Sequence, residues 1–250
     1  MTGLATLVDE LEAEQRALAD CVRDLDADQW LSPTPSWQWD VHDTIAHLAD
    51  TDDVAIDTAT GGRRPLGVAV AASASPEDTT YRGVLRGRRM PGAEVLAWWE
   101  EVARAERKVL RSLDPGVRVP WGLGMGAPAF VTARLMETWA HGLDVRTALH
   151  VEHEDTDRLA HVAWIATRAL PYAYSVAGRS APSARIRIEL ALPSGAVWTT
   201  GPDDAADRIT GPAGEYCRVF VQRLPLVKAT GLRAEGSAAR DALQVARAYL

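Results

Sequence analysis

Ala133-Arg134-Leu135-Met136-Glu137-Thr138-Trp139-Ala140-His141-Gly142-Leu143-Asp144 is the stretch on which the reading of this chain turns. On a helix four residues advance ~400°, so Glu137 and His141 leave the same face, about 5–6 Å apart at Cβ. Ala133, Thr138 and Ala140 are small, and Leu135, Met136 and Trp139 add apolar bulk. The segment therefore reads as a buried helix of a helical bundle, where an unpaired glutamate would be costly. A carboxylate and an imidazole that project together suit a divalent ion such as zinc, with ligand atoms at about 2 Å. The same pair also serves as an ion pair or a buried hydrogen bond, so it needs a third partner before it makes a metal site.

Outward from this segment the helical period continues. Leu4, Leu7, Val8, Leu11, Leu18, Val22 and Leu25 predict a first helix over 4–25. Ser32-Pro33-Thr34-Pro35-Ser36 breaks it, and a second helix starts near Asp40, an N-cap residue type, carrying Val41, Ile45, Leu48 and Val54. Further helices are expected over 93–113, 128–149 and 156–177. Between 61 and 92 the pattern dissolves into glycines, small residues and arginines (Arg63, Arg64, Arg82, Arg86, Arg88, Arg89), with a short helix near 68–74. A connection of that length reads as a functional or disordered loop.

After Gly178 the period changes to two. Arg185-Ile186-Arg187-Ile188-Glu189-Leu190 predicts a strand, Pro193-Ser194-Gly195 a turn, and 196–200 the returning strand of a hairpin. A short helix over 213–222, a strand near Leu232 and a helix from Ser237 complete the chain. The expected fold is mainly α: a four-helix bundle with an extra helix over 1–178, followed by a small α+β C-terminal domain over 179–250.

A formal net charge of −7 over 250 residues argues against a general nucleic-acid binder, whose phosphate contacts need a basic face. Cys21 and Cys217 lie far apart in no CxxC arrangement, which predicts free thiols in a reducing compartment rather than a disulfide framework. Met1-Thr2-Gly3-Leu4, followed by acids, has neither the basic nor the apolar region of a signal peptide. No apolar run approaches the roughly 18–20 residues that cross a bilayer. The expected location is cytoplasmic, with no membrane partner.

The third ligand is sought among the remaining histidines. His42 and His47 share the second helix but stand about 140° apart, so both cannot face the core. His47, among Ile45, Ala46, Leu48 and Ala49, is expected inside, and His42, near Asp43 and Asp53, outside. His150, His153 and His161 read as solvated. His47, Glu137 and His141 would leave positions open for water or substrate, the arrangement of a catalytic site. Asp144 follows His141 by one turn and Asp43 precedes His47 by one turn, so each is placed to accept the second imidazole N–H or to stand as plain surface charge.

At these residues the chain resembles a known family. The stretch Trp37-Gln38-Trp39-Asp40-Val41-His42-Asp43-Thr44-Ile45-Ala46-His47-Leu48-Ala49 resembles the W-x-x-x-D-x-x-x-H-L element of the DinB-like metalloenzymes, and more closely that of the mycothiol-dependent maleylpyruvate isomerase family. Residues 133–144 are similar to that family's E-x-W-x-H-G-x-D element. The resemblance implies a DinB-like four-helix bundle in which His47, Glu137 and His141 bind a divalent metal, usually zinc. Ile209-Thr210-Gly211-Pro212-Ala213 and Phe220-Val221-Gln222-Arg223 resemble the V-x-G-x-A…L-W-G-R region of the family's C-terminal domain, which implies a role for Arg223 in catalysis.

The implied chemistry is activation of a low-molecular-weight thiol, with mycothiol as cosubstrate. Coordination to the metal keeps its sulfur as a thiolate, which adds to a small electrophile in S-transfer or isomerisation. Arg82 and Arg86, with Arg88, Arg89 and Arg223, would suit carboxylates on these partners. Trp37, Trp39, Trp121 and Trp139 would wall the pocket. Two alternatives stay open: a DinB-like hydrolase or lyase in which water replaces the thiol, and a non-catalytic protein that binds a metal or ligand. The partners expected are small molecules, with a homodimer allowed.

Overall fold

Asp40 begins the second long helix as its residue type suggests: its side chain accepts from the Asp43 amide at 2.7 Å, and helix α3 (Val41–Thr60) runs from there to Gly61, left-handed at φ 72°. The computed structural model describes residues 3–36 and 38–248, which divide into two units, Met1–His153 and Glu154–Leu250. In the first unit α1 is Leu4–Val22, α2 Ala27–Trp30, α4 Leu66–Ala71, α5 Pro76–Gly87, α6 Gly92–Ser112 and α7 Ala127–Ala148. A two-stranded ribbon, β1 (Arg118–Val119) and β2 (Met125–Gly126), leads into α7.

Helices α1, α3, α6 and α7 form the bundle, α3 and α1 each packing against both α6 and α7. Leu18, Val22, Trp30, Val41, Ile45, Leu48, Val95, Trp99 and Val145 make one buried cluster of its core. Each such side chain contributes about 1.5–3 kcal/mol when removed from water. Helix α7 buries residues on all its sides, as its apolar surroundings predict.

The stretch 61–92 is not a loop. Ser75 caps α5, accepting from the Asp78 amide at 3.2 Å, and Pro76 occupies the first turn, where its missing N–H costs nothing. The small residues mark close approach, not disorder: Gly83 lies against Asp50 and Gly87 against Ala46, so α5 sits directly on α3. Arg64 to Asp50, Arg86 to Asp53 and Arg88 to Asp43 add ion pairs across the same face.

In the second unit the helix expected over 156–177 is broken into α8 (Leu159–Arg168) and α9 (Leu170–Val176), because Pro171 cannot donate into a continuous helix. The hairpin is present as β3 (Ile186–Ala191) and β4 (Val197–Thr200). With β5 (Asp207–Pro212) and β6 (Arg233–Glu235) it forms a mixed sheet of order β4-β3-β5-β6, in which only β3 and β5 run parallel. Helices α10 (Ala213–Phe220) and α11 (Ser237–Val245) pack on this sheet over buried Ile188, Leu190 and Ile209.

The change of period at 178–184 thus does not coincide with the division between units. Helix α8 packs on α10, and Thr167 and Tyr216 share a hydrogen bond of 2.9 Å, so the α8–α9 segment belongs with the sheet. Cys217 is buried, donating weakly to the Leu159 carbonyl at 3.6 Å, and burial pushes its thiol far up. Cys21 is half-buried and is also raised by burial. Among the described residues no helix is long and apolar enough to cross a membrane.

Candidate metal centre

One residue from α3 and two from α7 meet at a single point. His47 Nε2 lies 3.2 Å and His141 Nε2 3.4 Å from the same oxygen, Oε1 of Glu137. Both imidazoles are buried, while the Glu137 side chain keeps 21% of its surface exposed. The Trp39 ring stacks at a tilt over both histidines, its centroid 4.9 Å from that of His47 and 6.0 Å from that of His141.

These spacings are long for charge-assisted hydrogen bonds, which prefer about 2.7–2.9 Å. They match the separation of two ligands held about 2.0–2.1 Å from one tetrahedral ion, roughly 3.3–3.4 Å. His47 Nδ1 is buried with no hydrogen-bond partner among the described residues. His141 Nδ1 lies 3.3 Å from Asp144 Oδ2, close enough for electrostatic support but without hydrogen-bond alignment. The donor set of two imidazoles and one carboxylate, all within 4.8 Å of one another, fits a divalent metal.

The three groups respond to burial in different ways. Burial alone would raise Glu137, but hydrogen bonds from His141 and His47 and their charge hold it well below the ordinary carboxylate range. Burial lowers His47, against the pull of Glu137, so its ring gives up a proton more readily than an ordinary histidine. Burial would also lower His141, but the Asp144 and Glu137 carboxylates outweigh it and raise the ring above its ordinary value.

A second group, Asp40, His42 and Asp43, also has its donor atoms within 4.8 Å. Its donors are already engaged. Asp40 caps α3, His42 Nε2 faces the Met90 carbonyl at 2.9 Å, and Asp43 receives both arms of Arg88 at 2.8 and 2.6 Å. Two expectations are corrected here. His42 is buried, because the turn after α5 covers that side of α3, and Asp43 supports Arg88 rather than His47. Asp144 lies beside His141 as expected, and Ser36 Oγ donates to its Oδ2 at 3.0 Å.

The other expected residues are spread more widely. Arg82 is exposed and pairs with Asp78 at 3.1 Å, while Arg86 pairs with Asp53 and lies 4.2 Å over the Trp98 ring. Exposed pairs of this kind hold their partners weakly. Trp37 lies outside the described residues. Trp121 stacks on Phe130, and Trp139 donates to His153 at 3.1 Å, so His153 is not simply solvated. Arg223 follows α10 in the second unit, where Nη1 donates to the Val221 carbonyl at 2.7 Å.

The model of the mycothiol maleylpyruvate isomerase N-terminal domain family matches residues 11–146, more than half of the chain and the whole of the stretch that carries the trio. The chain belongs to this family.

Two uncharacterized proteins of Mycobacterium tuberculosis, from strains CDC 1551 / Oshkosh and ATCC 25618 / H37Rv, are each 36% identical to this family member over 250 residues, covering 100% of it and 97% of their own length. The crystal structure of the mycothiol-dependent maleylpyruvate isomerase superposes with a TM-score of 0.61 at 15% identity, covering 93% of both chains. A histidine-to-alanine mutant of that enzyme gives 0.61 at 14%. At this identity the likeness shows the fold alone.

Sequence reading missed the residues beneath the trio. Arg134, one turn before Glu137, is 2% exposed and donates through Nε to Glu106 Oε1 at 3.1 Å and through Nη2 to Asp52 and, at 3.2 Å, to Thr51 Oγ1. Gln15 donates to Glu106 at 3.1 Å and Trp99 Nε1 to Asp52 at 3.1 Å. Burial and the adjacent Asp52 charge push Glu106 up to about 8 against the pull of Arg134 and Gln15. The available signal was a charged residue inside an apolar stripe: Glu106 falls in register with Trp99, Ala103 and Leu110.

Proposed function

We propose that this family member is a metal-dependent enzyme that brings a low-molecular-weight thiol of the mycothiol type to a small electrophile, as an S-transferase or isomerase. The observation that carries the proposal is the meeting of two imidazole nitrogens on one carboxylate oxygen at ligand spacing. The named activity of the isomerase that shares the fold supports the choice of thiol.

His47, Glu137 and His141 would hold a divalent ion, zinc by its preference for this donor set. Such an ion would supply a positive charge that keeps a thiol sulfur deprotonated near neutral pH. The chain's own residues do the rest. Glu137 is held ionised by its two histidine neighbours, and a proton on either Nε2 would leave or move to Nδ1 as an ion enters. Asp144, held by Ser36, sits behind His141 and lends its ring negative charge. Trp39 closes one wall over both rings, excluding water there and leaving an apolar surface for a substrate's carbon skeleton. Addition of the thiol to an electrophilic carbon, if kept, is S-transfer; addition followed by loss of the same thiol is isomerisation.

Metal content of the purified protein tests the reading, wild type against His141→Ala. Near-stoichiometric zinc or a similar ion is expected in the first and little in the second, with product formation by wild type only when thiol is supplied. Equal metal in both proteins removes the proposal, and turnover without thiol replaces it with chemistry on water.

A further inference from the structure

The trio is divided between two helices, so its spacing depends on how α7 is set against α3. One side chain makes that setting. Arg134 leaves α7 on the turn before Glu137 and reaches α3 at two consecutive residues, Thr51 and Asp52, and α6 at Glu106. Thr51 in turn donates to the main-chain carbonyl of His47 at 2.9 Å. A continuous path therefore runs from the turn that bears Glu137, through a planar guanidinium, to the backbone of His47. The guanidinium donates in fixed directions, so sliding or rotating α7 against α3 would break several bonds together.

We propose that Arg134 is the positioning residue of the metal site, its guanidinium locking the register of α7 against α3 so that Glu137 and His141 face His47. The proposal rests on the metal-site reading above. Arg134 touches none of the three ligand atoms in the structure's hydrogen bonds and is not itself a ligand; its other neighbours, Phe130-stacked Trp121 at 5.5 Å and the carboxylates, fix it from the remaining sides. Lysine at this position would keep the charge but lose the fork. Valine at 51 would keep the shape and remove only the hydroxyl that joins Arg134 to the His47 turn.

The test compares full-length wild type, Arg134→Lys and Thr51→Val, with the α1 core variant Val8→Ala as the control for lost stability. Three quantities are read: cobalt(II) affinity, the visible absorption of the cobalt-loaded protein, and the histidine ring NMR signals of the metal-free protein. Arg134→Lys is expected to weaken cobalt binding tenfold or more, the range of losses seen when residues behind a metal's ligands are changed. Its absorption bands should shift and the His47 and His141 ring signals should move. Thr51→Val should show the same changes more weakly, whereas Val8→Ala should melt earlier with wild-type spectra.

Wild-type affinity, bands and ring signals in folded Arg134→Lys and Thr51→Val would overturn the proposal. If Arg134→Lys does not fold, Thr51→Val alone decides. Should wild type take up no cobalt, the metal reading fails, while ring signals that still move in the variants would uphold the positioning of the trio by Arg134.

Discussion

Two carboxylates, Asp52 and Glu106, share one guanidinium in full burial, and this arithmetic has a measurable pH signature. Glu106 is raised from 4.5 to about 8, so between those values the native protein holds a proton that the unfolded chain has released. Stability from this group is therefore greatest at the acid end of the window and falls as pH rises through it. Glu106→Gln, which cannot titrate, should flatten the decline: the gap between wild-type and variant melting temperatures should shrink or reverse from pH 5 to pH 8. A constant gap would show that Glu106 stays ionised throughout. At this scale the sequence was legible where spacing carried the meaning, as for Glu137 and His141 on one helical face. It was illegible where partners came from distant helices. Arg134, Asp52 and Glu106 are 82 and 28 residues apart along the chain, and no local period announces that they meet.

Among the elements, α5 shows how composition can mislead. Its glycines and arginines resemble a loop, yet the glycines let it approach α3 and the arginines pair with that helix's acids. A methyl added at Gly87 would land on the Ala46 side chain, which has no flexible end to yield. In an open helix glycine to alanine gains roughly 0.5–1 kcal/mol. Here overpacking, typically 1–3 kcal/mol, should win. Gly87→Ala is expected to lower stability in denaturant unfolding and to speed amide exchange along α5. A stabilised variant would mean that α5 is not seated on α3. The long helices were readable because their apolar faces keep one period, and Asp40 marked its own cap. The break at Pro171 is hard to read from sequence because apolar residues continue across it.

For the molecule as a whole, the place where the chain divides can be checked by cutting it. Residues 179–184 are exposed and without regular structure, whereas α8 and α9 lie in the unit that contains the sheet. Trypsin cleavage at Arg179 or Arg185 should leave fragments that elute together in gel filtration, held by α8 on α10 and by Tyr174, whose hydroxyl donates to Asp241 at 3.0 Å. Separation of the fragments would instead place the division at 178. The change of period was visible in sequence, but it marks only where strands begin; which unit claims the preceding helices depends on packing that alternation does not encode.

The two cysteines carry a practical consequence. With one sulfhydryl sealed beneath α8 and the other partly covered, neither offers an easy target to an alkylating reagent or a disulfide dye. A colorimetric titration with such a dye should therefore read little protein sulfur, and an assay of the proposed thiol chemistry would carry a low background from the chain itself.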